Sequence, residues 1–276
     1  MALSDSRTSH RQLTDPLARA RESGFGHERE ECAVRFTRKA VVLVIVLSGQ
    51  VFAAQPAIGG EPAKPIVTAG TPVAPGPIDN SPAAAAKLHA LATEEPNAEA
   101  LASAVVTHVV MVKAAGDEEW RSAFGTAWKS AIWDRVEAAD NATYTQFGIN
   151  LVIDTYVAWN SSNISGSVCL WLQEIDDEVP NGSDDVTIGY MGNSSLGHGG
   201  CAYLNGSYAI VKRQDPIYDW KVTQHETSHM FSAPDRSGAD HPADVMEDPY
   251  GSANIWCTKA GYNDNGIMVS HAGKFD

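Results

Sequence analysis

The sequence predicts an α+β domain built on a twisted, mostly parallel sheet, and three observations carry that expectation. Val105–Val112, a long helical stripe, and Phe147–Val157 follow one another as strand, helix, strand. Further β-rich runs lie at Val186–Met191, Gly197–Tyr203 and Tyr208–Val211. A second helix is expected over Ile217–Phe231, where apolar residues recur at helical spacing around two histidines and a glutamate.

The chain has 276 residues and a formal net charge of −14. That charge argues against nucleic acid and against an anionic membrane surface as partners. Residues 1–54 read as an N-terminal extension and a secretory signal. Arg35-Phe36-Thr37-Arg38-Lys39 is basic, Ala40–Leu47 is a short apolar core, and Ala53 or Ala54 suits cleavage. The apolar run is too short to span a bilayer, so no stable membrane span is expected after cleavage. Residues 1–33 form an unusually long preface, consistent with a long basic region or with a start near Val34.

Residues 55–103 are rich in Pro, Ala and Gly and read as a linker or pro-segment, with helical character from Ala83 to Ala104. The compact domain is expected to span residues 104–276. Its first strand, Val105–Val112, is β-branched and suits burial, with His108 a strand histidine. Asp117-Glu118-Glu119 opens a helix expected to run to about Ala139, acidic where the helix dipole favours it. Trp120, Phe124, Trp128, Ile132 and Val136 give that helix its core-facing stripe. Phe147–Val157 is the second strand. Val168–Leu172 is expected to be a short apolar segment packed under a loop. Asn181-Gly182 marks a turn into the strand Val186–Met191. Asp176, Asp177, Asp184 and Asp185 cluster without the fixed spacing of a calcium loop, so calcium is possible there but unsupported.

The chemistry concentrates in Gln224–Asp235. On a helix, His225 and His229 stand one turn apart on one face, able to meet one ion. Trp220, Thr227 and Phe231 fall on the opposite face. Imidazoles are suitable zinc ligands, and Glu226 between them stands where a base for water is needed. Asp235 follows His229 by six residues, after Pro234, which favours an extended approach. Val245-Met246 comes soon after.

These residues together resemble the metzincin metallopeptidases, whose signature is HExxHxxGxxH/D followed by a methionine turn. The match is to the snapalysin-like branch, whose third ligand is aspartate. The resemblance implies zinc held by His225, His229 and Asp235, with Glu226 as catalytic base and Met246 as the floor of the site. It implies an antiparallel edge strand at Gly197–Tyr203, along which an extended substrate adds, and a monomer acting on protein or peptide substrates. Tyr250 is a weaker candidate for oxyanion assistance. One position departs from the pattern: Ser232 replaces the glycine at the sharp turn, a left-handed position that costs serine about 1–2 kcal/mol.

Export leaves Cys169, Cys201 and Cys257, since Cys32 precedes the signal. Cys169–Cys201 is the preferred disulfide, because both lie in the segment between the helix-flanking strands. Cys201–Cys257 is the competitor. The expected function is a secreted zinc endopeptidase. One alternative is a thermolysin-like peptidase using Glu247 as ligand, which requires that glutamate on a second helix. The other is a secreted binding module with a vestigial site.

Overall fold

The computed structural model describes residues 65–67, 81–94, 107–161, 166–193, 198–236, 244–247, 255–258 and 263–276. The expected signal lies outside them, as do Tyr250 and two other residues that the sequence offers after the second histidine as a third ligand, Asp240 and His241. No helix among the described residues is long and apolar enough to cross a membrane.

Six strands form one sheet in the order β1-β5-β6-β4-β2-β3. They are β1 (Pro65–Val67), β2 (His108–Gly116), β3 (Ile149–Ala158), β4 (Val186–Met191), β5 (Gly200–Tyr203) and β6 (Tyr208–Lys212). β2 pairs parallel with β3 and β4, and β4 pairs parallel with β6. β5 runs antiparallel to β6, as expected of the strand at this edge. β1 then pairs antiparallel with β5 and forms the outermost strand. β4, with both neighbours present and all six residues buried, is the centre of the sheet.

Alternation along the strands sends side chains to two cores. Ala114, Ile188, Tyr190, Ala202, Ala209 and Val211 join the larger one. The intervening Ala115, Met191, Cys201, Tyr208 and Ile210 join the smaller one on the other face. The larger core is covered by α3 (Trp128–Phe147) and α5 (Pro216–Met230), the smaller by α4 (Val168–Glu178).

The expected single helix from Asp117 to Ala139 is two. α2 (Glu118–Phe124) ends at Gly125, whose φ of 54° leaves the helical region, and a short 3₁₀ turn leads into α3. α3 continues past Ala139 to Phe147 and stops at left-handed Gly148. The stripe still faces inward: Trp120, Ile132 and Val136 are fully buried, with Phe124 and Trp128 packed against them. Val168–Leu172 is not a segment under a loop but the first half of α4, capped by Ser167, whose hydroxyl accepts the Cys169 N–H.

The Pro/Ala-rich stretch also contributes structure. α1 (Pro82–Ala92) is capped by Ser81 and lays Leu88 and Ala92 against Ala138 of α3 and Trp220 of α5. The Asn141 side chain donates to the Leu91 carbonyl at 2.7 Å. The sequence also allows a short helix near Ile255-Trp256-Cys257, and none forms there. Ile255 forms a parallel bridge with Asp244, and the C-terminal helix, α6 (Asp264–His271), comes later, capped by Asn263. Cys169 and Cys201 form a disulfide that joins α4 to β5, and Cys257 is buried outside it.

Candidate metal centre

The middle of α5 is buried on every side: each residue from Thr223 to Phe231 is at most 2% exposed. Burying so polar a segment requires internal partners. Thr223 donates to the Asp219 carbonyl, and Thr227 and Ser228 both donate to the Gln224 carbonyl. Trp256 Nε1 donates to the Ser228 hydroxyl at 3.1 Å. Glu226 is different. It is fully buried, and neither carboxyl oxygen has a hydrogen-bond partner.

The two histidines are oriented from behind. His225 Nδ1–H donates to the Val245 carbonyl at 2.7 Å, and His229 Nδ1–H donates to the Ala233 carbonyl at 2.7 Å. A carbonyl only accepts, so each Nδ1 carries a proton, and the neutral tautomer of each ring, the form a metal takes, presents its lone pair at Nε2. Those two Nε2 atoms are 3.1 Å apart. Asp235 Oδ1 completes a near-equilateral triangle at 3.1 Å from His225 Nε2 and 3.3 Å from His229 Nε2. Ligand atoms about 2.0–2.1 Å from a tetrahedral zinc ion stand about 3.3 Å apart, so three electron-rich atoms at this spacing fit the ion. Ligand-type atoms of His225, Glu226 and His229 also lie within 4.8 Å of one another.

The end of α5 delivers Asp235 to this place. The Ala233 N–H donates to the Ser228 carbonyl and the Ser232 N–H to the His229 carbonyl, the paired bonds of a Schellman cap. That cap needs a left-handed residue, and Ser232 supplies it with φ 72°. The same turn exposes the Ala233 carbonyl to His229 and starts the extended chain through Pro234. The helix stop, one ring's orientation and the approach of the carboxylate therefore share one local motif.

A second loop supports the other ring. Asp244 Oδ1 accepts the Met246 N–H at 2.8 Å and Oδ2 accepts the Cys257 N–H at 3.1 Å, fixing a tight turn through Glu247. That turn presents the Val245 carbonyl to His225, and Met246 is buried within it. Glu247 stands in this turn and not on a second helix. The Arg236 N–H donates to the Met246 carbonyl, and its guanidinium grips Asp264 of α6 by three bonds of 2.6–3.0 Å. Asp244, Asp264 and Arg236 had no signal in the sequence beyond the aspartate that opens the turn.

Burial and charge set the protonation of the metal-free groups. Burial pushes Glu226 up to about 8, with His225 opposing and Asp235 adding to it. Asp235 is held down at about 2, because the two histidines outweigh its burial. Burial disfavours the His225 imidazolium, but Asp235 and Glu226 outweigh it and raise that ring to about 9. Burial lowers His229. Asp244 rises to about 6 through burial, with Asp264 adding to it.

β5 closes the site from above. A Cβ at Gly200 would stand 2.7 Å from Cγ and Oε1 of Glu226, so only glycine lets the strand pass this close to the carboxylate.

Residues 106–273, more than half of the chain, match the family described as Metallo-peptidase family M12 (Reprolysin_5). The chain belongs to the M12 metallopeptidases. This is a zinc-using, metzincin-type family. A search of curated proteins gives no significant match. Two solved structures are similar to parts of this M12 chain. One is described as a chaperone-substrate complex, with 11% identity over 61% of this chain and 34% of that one and a TM-score of 0.46. The other is metalloproteinase-II from Bacteroides fragilis, with 14% identity over 62% and 54% and a TM-score of 0.36. The chain thus spans about a third and about half of their lengths.

Proposed function

We propose that the chain is a secreted zinc endopeptidase of the aspartate-ligand, snapalysin-like branch, with His225, His229 and Asp235 holding the metal and Glu226 acting as base. The observation that carries this reading is the triangle of two bare imidazole nitrogens and one carboxylate oxygen, beside a buried carboxylate with no partner. Zinc held there supplies Lewis-acid polarisation of a peptide carbonyl and acidifies water at neutral pH.

The residues around it do the rest. The Val245 and Ala233 carbonyls hold each ring in the tautomer that leaves Nε2 free. Glu226 has both oxygens available, so it takes the proton from the attacking water and passes it to the leaving amine. Its burial keeps bulk water from competing for that proton. The turn at Val245-Met246, in the position of a methionine turn, acts as a support and does no chemistry. Export is supported by the Arg35–Leu47 pattern and by a disulfide, which persists in oxidising compartments.

The test separates base from ligand. Glu226→Gln is expected to keep one zinc per chain while hydrolysis of casein falls by at least about 100-fold. Asp235→Ala should weaken zinc binding by more than about 100-fold in equilibrium dialysis, whereas His241→Ala and Glu247→Ala leave it nearly unchanged. Zinc lost from Glu226→Gln, or retained by Asp235→Ala, would reassign the roles.

A further inference from the structure

A lysine close to the C-terminus reaches back to the two elements that meet over Glu226. Lys274 follows α6 and places its ammonium between the turn of the β5–β6 hairpin and the end of α5. Nζ donates to the Gly206 carbonyl at 2.6 Å and to the Met230 carbonyl at 2.8 Å. Met230 is the last residue of α5, so its carbonyl is one that the helix leaves without an internal partner, and a cation is favoured there. The hairpin turn makes a second bond to the same helix end. Asn205, left-handed with φ 57°, donates its N–H to the carbonyl of His229 at 2.8 Å.

Fixing a long flexible side chain costs entropy, and here the neighbours reduce that cost in advance. The Lys274 N–H donates to the His271 carbonyl at 2.9 Å, and Phe275 packs edge-on against Phe231. Asp276 bonds His108 at the start of β2. The ammonium also lies 4.5 Å from the centre of the Phe275 ring.

Two ties outside the sheet ladder hold β5, and they come from opposite faces. The disulfide fastens Cys201 to α4, and Lys274 with Asn205 fastens the turn beyond Tyr203 to α5. Gly200, next to the disulfide, is the residue that packs against the Glu226 carboxylate. A strand tied at one point can rock about it, whereas a strand tied at two keeps its height. We propose that Lys274 is a positioning residue of the site: it seats the β5–β6 hairpin on α5 and so sets where a peptide lying along β5 meets Glu226. The proposal rests on the peptidase reading. A hydrogen bond from a charged donor is about twice as strong as a neutral one, and Asn205 alone supplies only the neutral kind. Loss of the ammonium therefore loosens the seating without releasing the strand. Ligands that lie along β5 feel the change, and ligands that meet only the metal do not.

The experiment uses the full exported chain with Lys274→Met, which keeps the stem and removes the donors, and Lys274→Arg, which keeps donors. Kinetics are read well below each thermal midpoint, where a lysine needed only for stability would leave KM unmoved. For an internally quenched decapeptide, KM should rise about 3- to 10-fold in Lys274→Met with kcat unchanged, and return to within about 2-fold of the parent in Lys274→Arg. Zinc affinity in equilibrium dialysis and inhibition by acetohydroxamate should both stay within about 2-fold of the parent. In a Glu226→Gln background, which prevents self-digestion, hydrogen exchange at the Gly200–Tyr203 amides should quicken about 10-fold in Lys274→Met and not in Lys274→Arg. Lys274→Gln covers the case in which methionine disturbs folding. Unchanged KM in the neutral variants, an equal rise in Lys274→Arg, or zinc lost in proportion to KM overturns the proposal. So does failure of both neutral variants to fold, which would make the lysine a folding requirement. Zinc-loaded parent that never hydrolyses peptide instead overturns the peptidase reading, and the seating of β5 is then decided by exchange alone.

Discussion

Ser232 holds a φ of 72° at the end of α5. Serine pays about 1–2 kcal/mol to stand in the left-handed region, whereas glycine there costs only its extra freedom in the unfolded chain, about 0.5–1 kcal/mol. The difference favours glycine. Ser232→Gly is therefore expected to stabilise the protein by about 0.5–1 kcal/mol, read as a higher urea midpoint with unchanged slope. A lower midpoint would mean that the serine hydroxyl contributes more than its backbone costs. The same scale shows which part of the site was legible. His225, Glu226, His229 and Asp235 announced themselves by residue type and spacing. The Val245 and Ala233 carbonyls that orient the rings could not, because every residue has a carbonyl and only the fold selects two of them.

Elements were legible where one periodicity dominated. The β-branched runs of β2, β3 and β4 and the polar-centred α5 all lie where the sequence expects them. α4 was missed because it is short and opens with Val168-Cys169-Leu170-Trp171-Leu172, a continuous apolar run whose periodicity does not mark a helix. Its acidic end, Glu174 to Glu178, also opposes the helix dipole. The α2–α3 break hides in a stripe that keeps its helical spacing across Gly125. No local pattern pairs Arg236 with Asp264, 28 residues apart. The α3–β3 junction yields a prediction of its own. Asp140 of α3 accepts the Leu151 N–H at 2.8 Å, and burial raises its pKa to about 8. Between about pH 4 and pH 8 the folded state keeps a proton that the unfolded chain has released, so stability from this group declines as pH rises through that window. An asparagine can accept the same N–H without the proton. Asp140→Asn should gain on the parent steadily from pH 5 to pH 8 and level off above, in urea titrations at several pH values. A difference that does not change with pH would show that Asp140 is not the group responsible.

At the scale of the molecule, the smaller of the two cores is closed by a covalent tie between its covering helix and the sheet. The Cys169–Cys201 disulfide ties α4, on one face, to β5, the strand over Glu226. Its separation of 32 residues implies about 3–4 kcal/mol of stabilisation through the unfolded chain. Replacing both cysteines by serine should lower the unfolding free energy by that amount, and loss of less than about 1 kcal/mol would show that the sheet holds β5 without help. A second long-range tie has a consequence in time. His108, at the start of β2, bonds Asp276 at 2.6 Å, and Lys274 donates to carbonyls of Gly206 and Met230. The supports of the metal triangle, Val245, Asp244 and Asp264, likewise follow α5. A chain made from its N-terminus presents β2 to β6 and both histidines well before these partners emerge. Closing contacts over such separations is slow, so the triangle is completed late, after the strands are in place. The site is then among the last parts of the fold to form, by the order of synthesis alone.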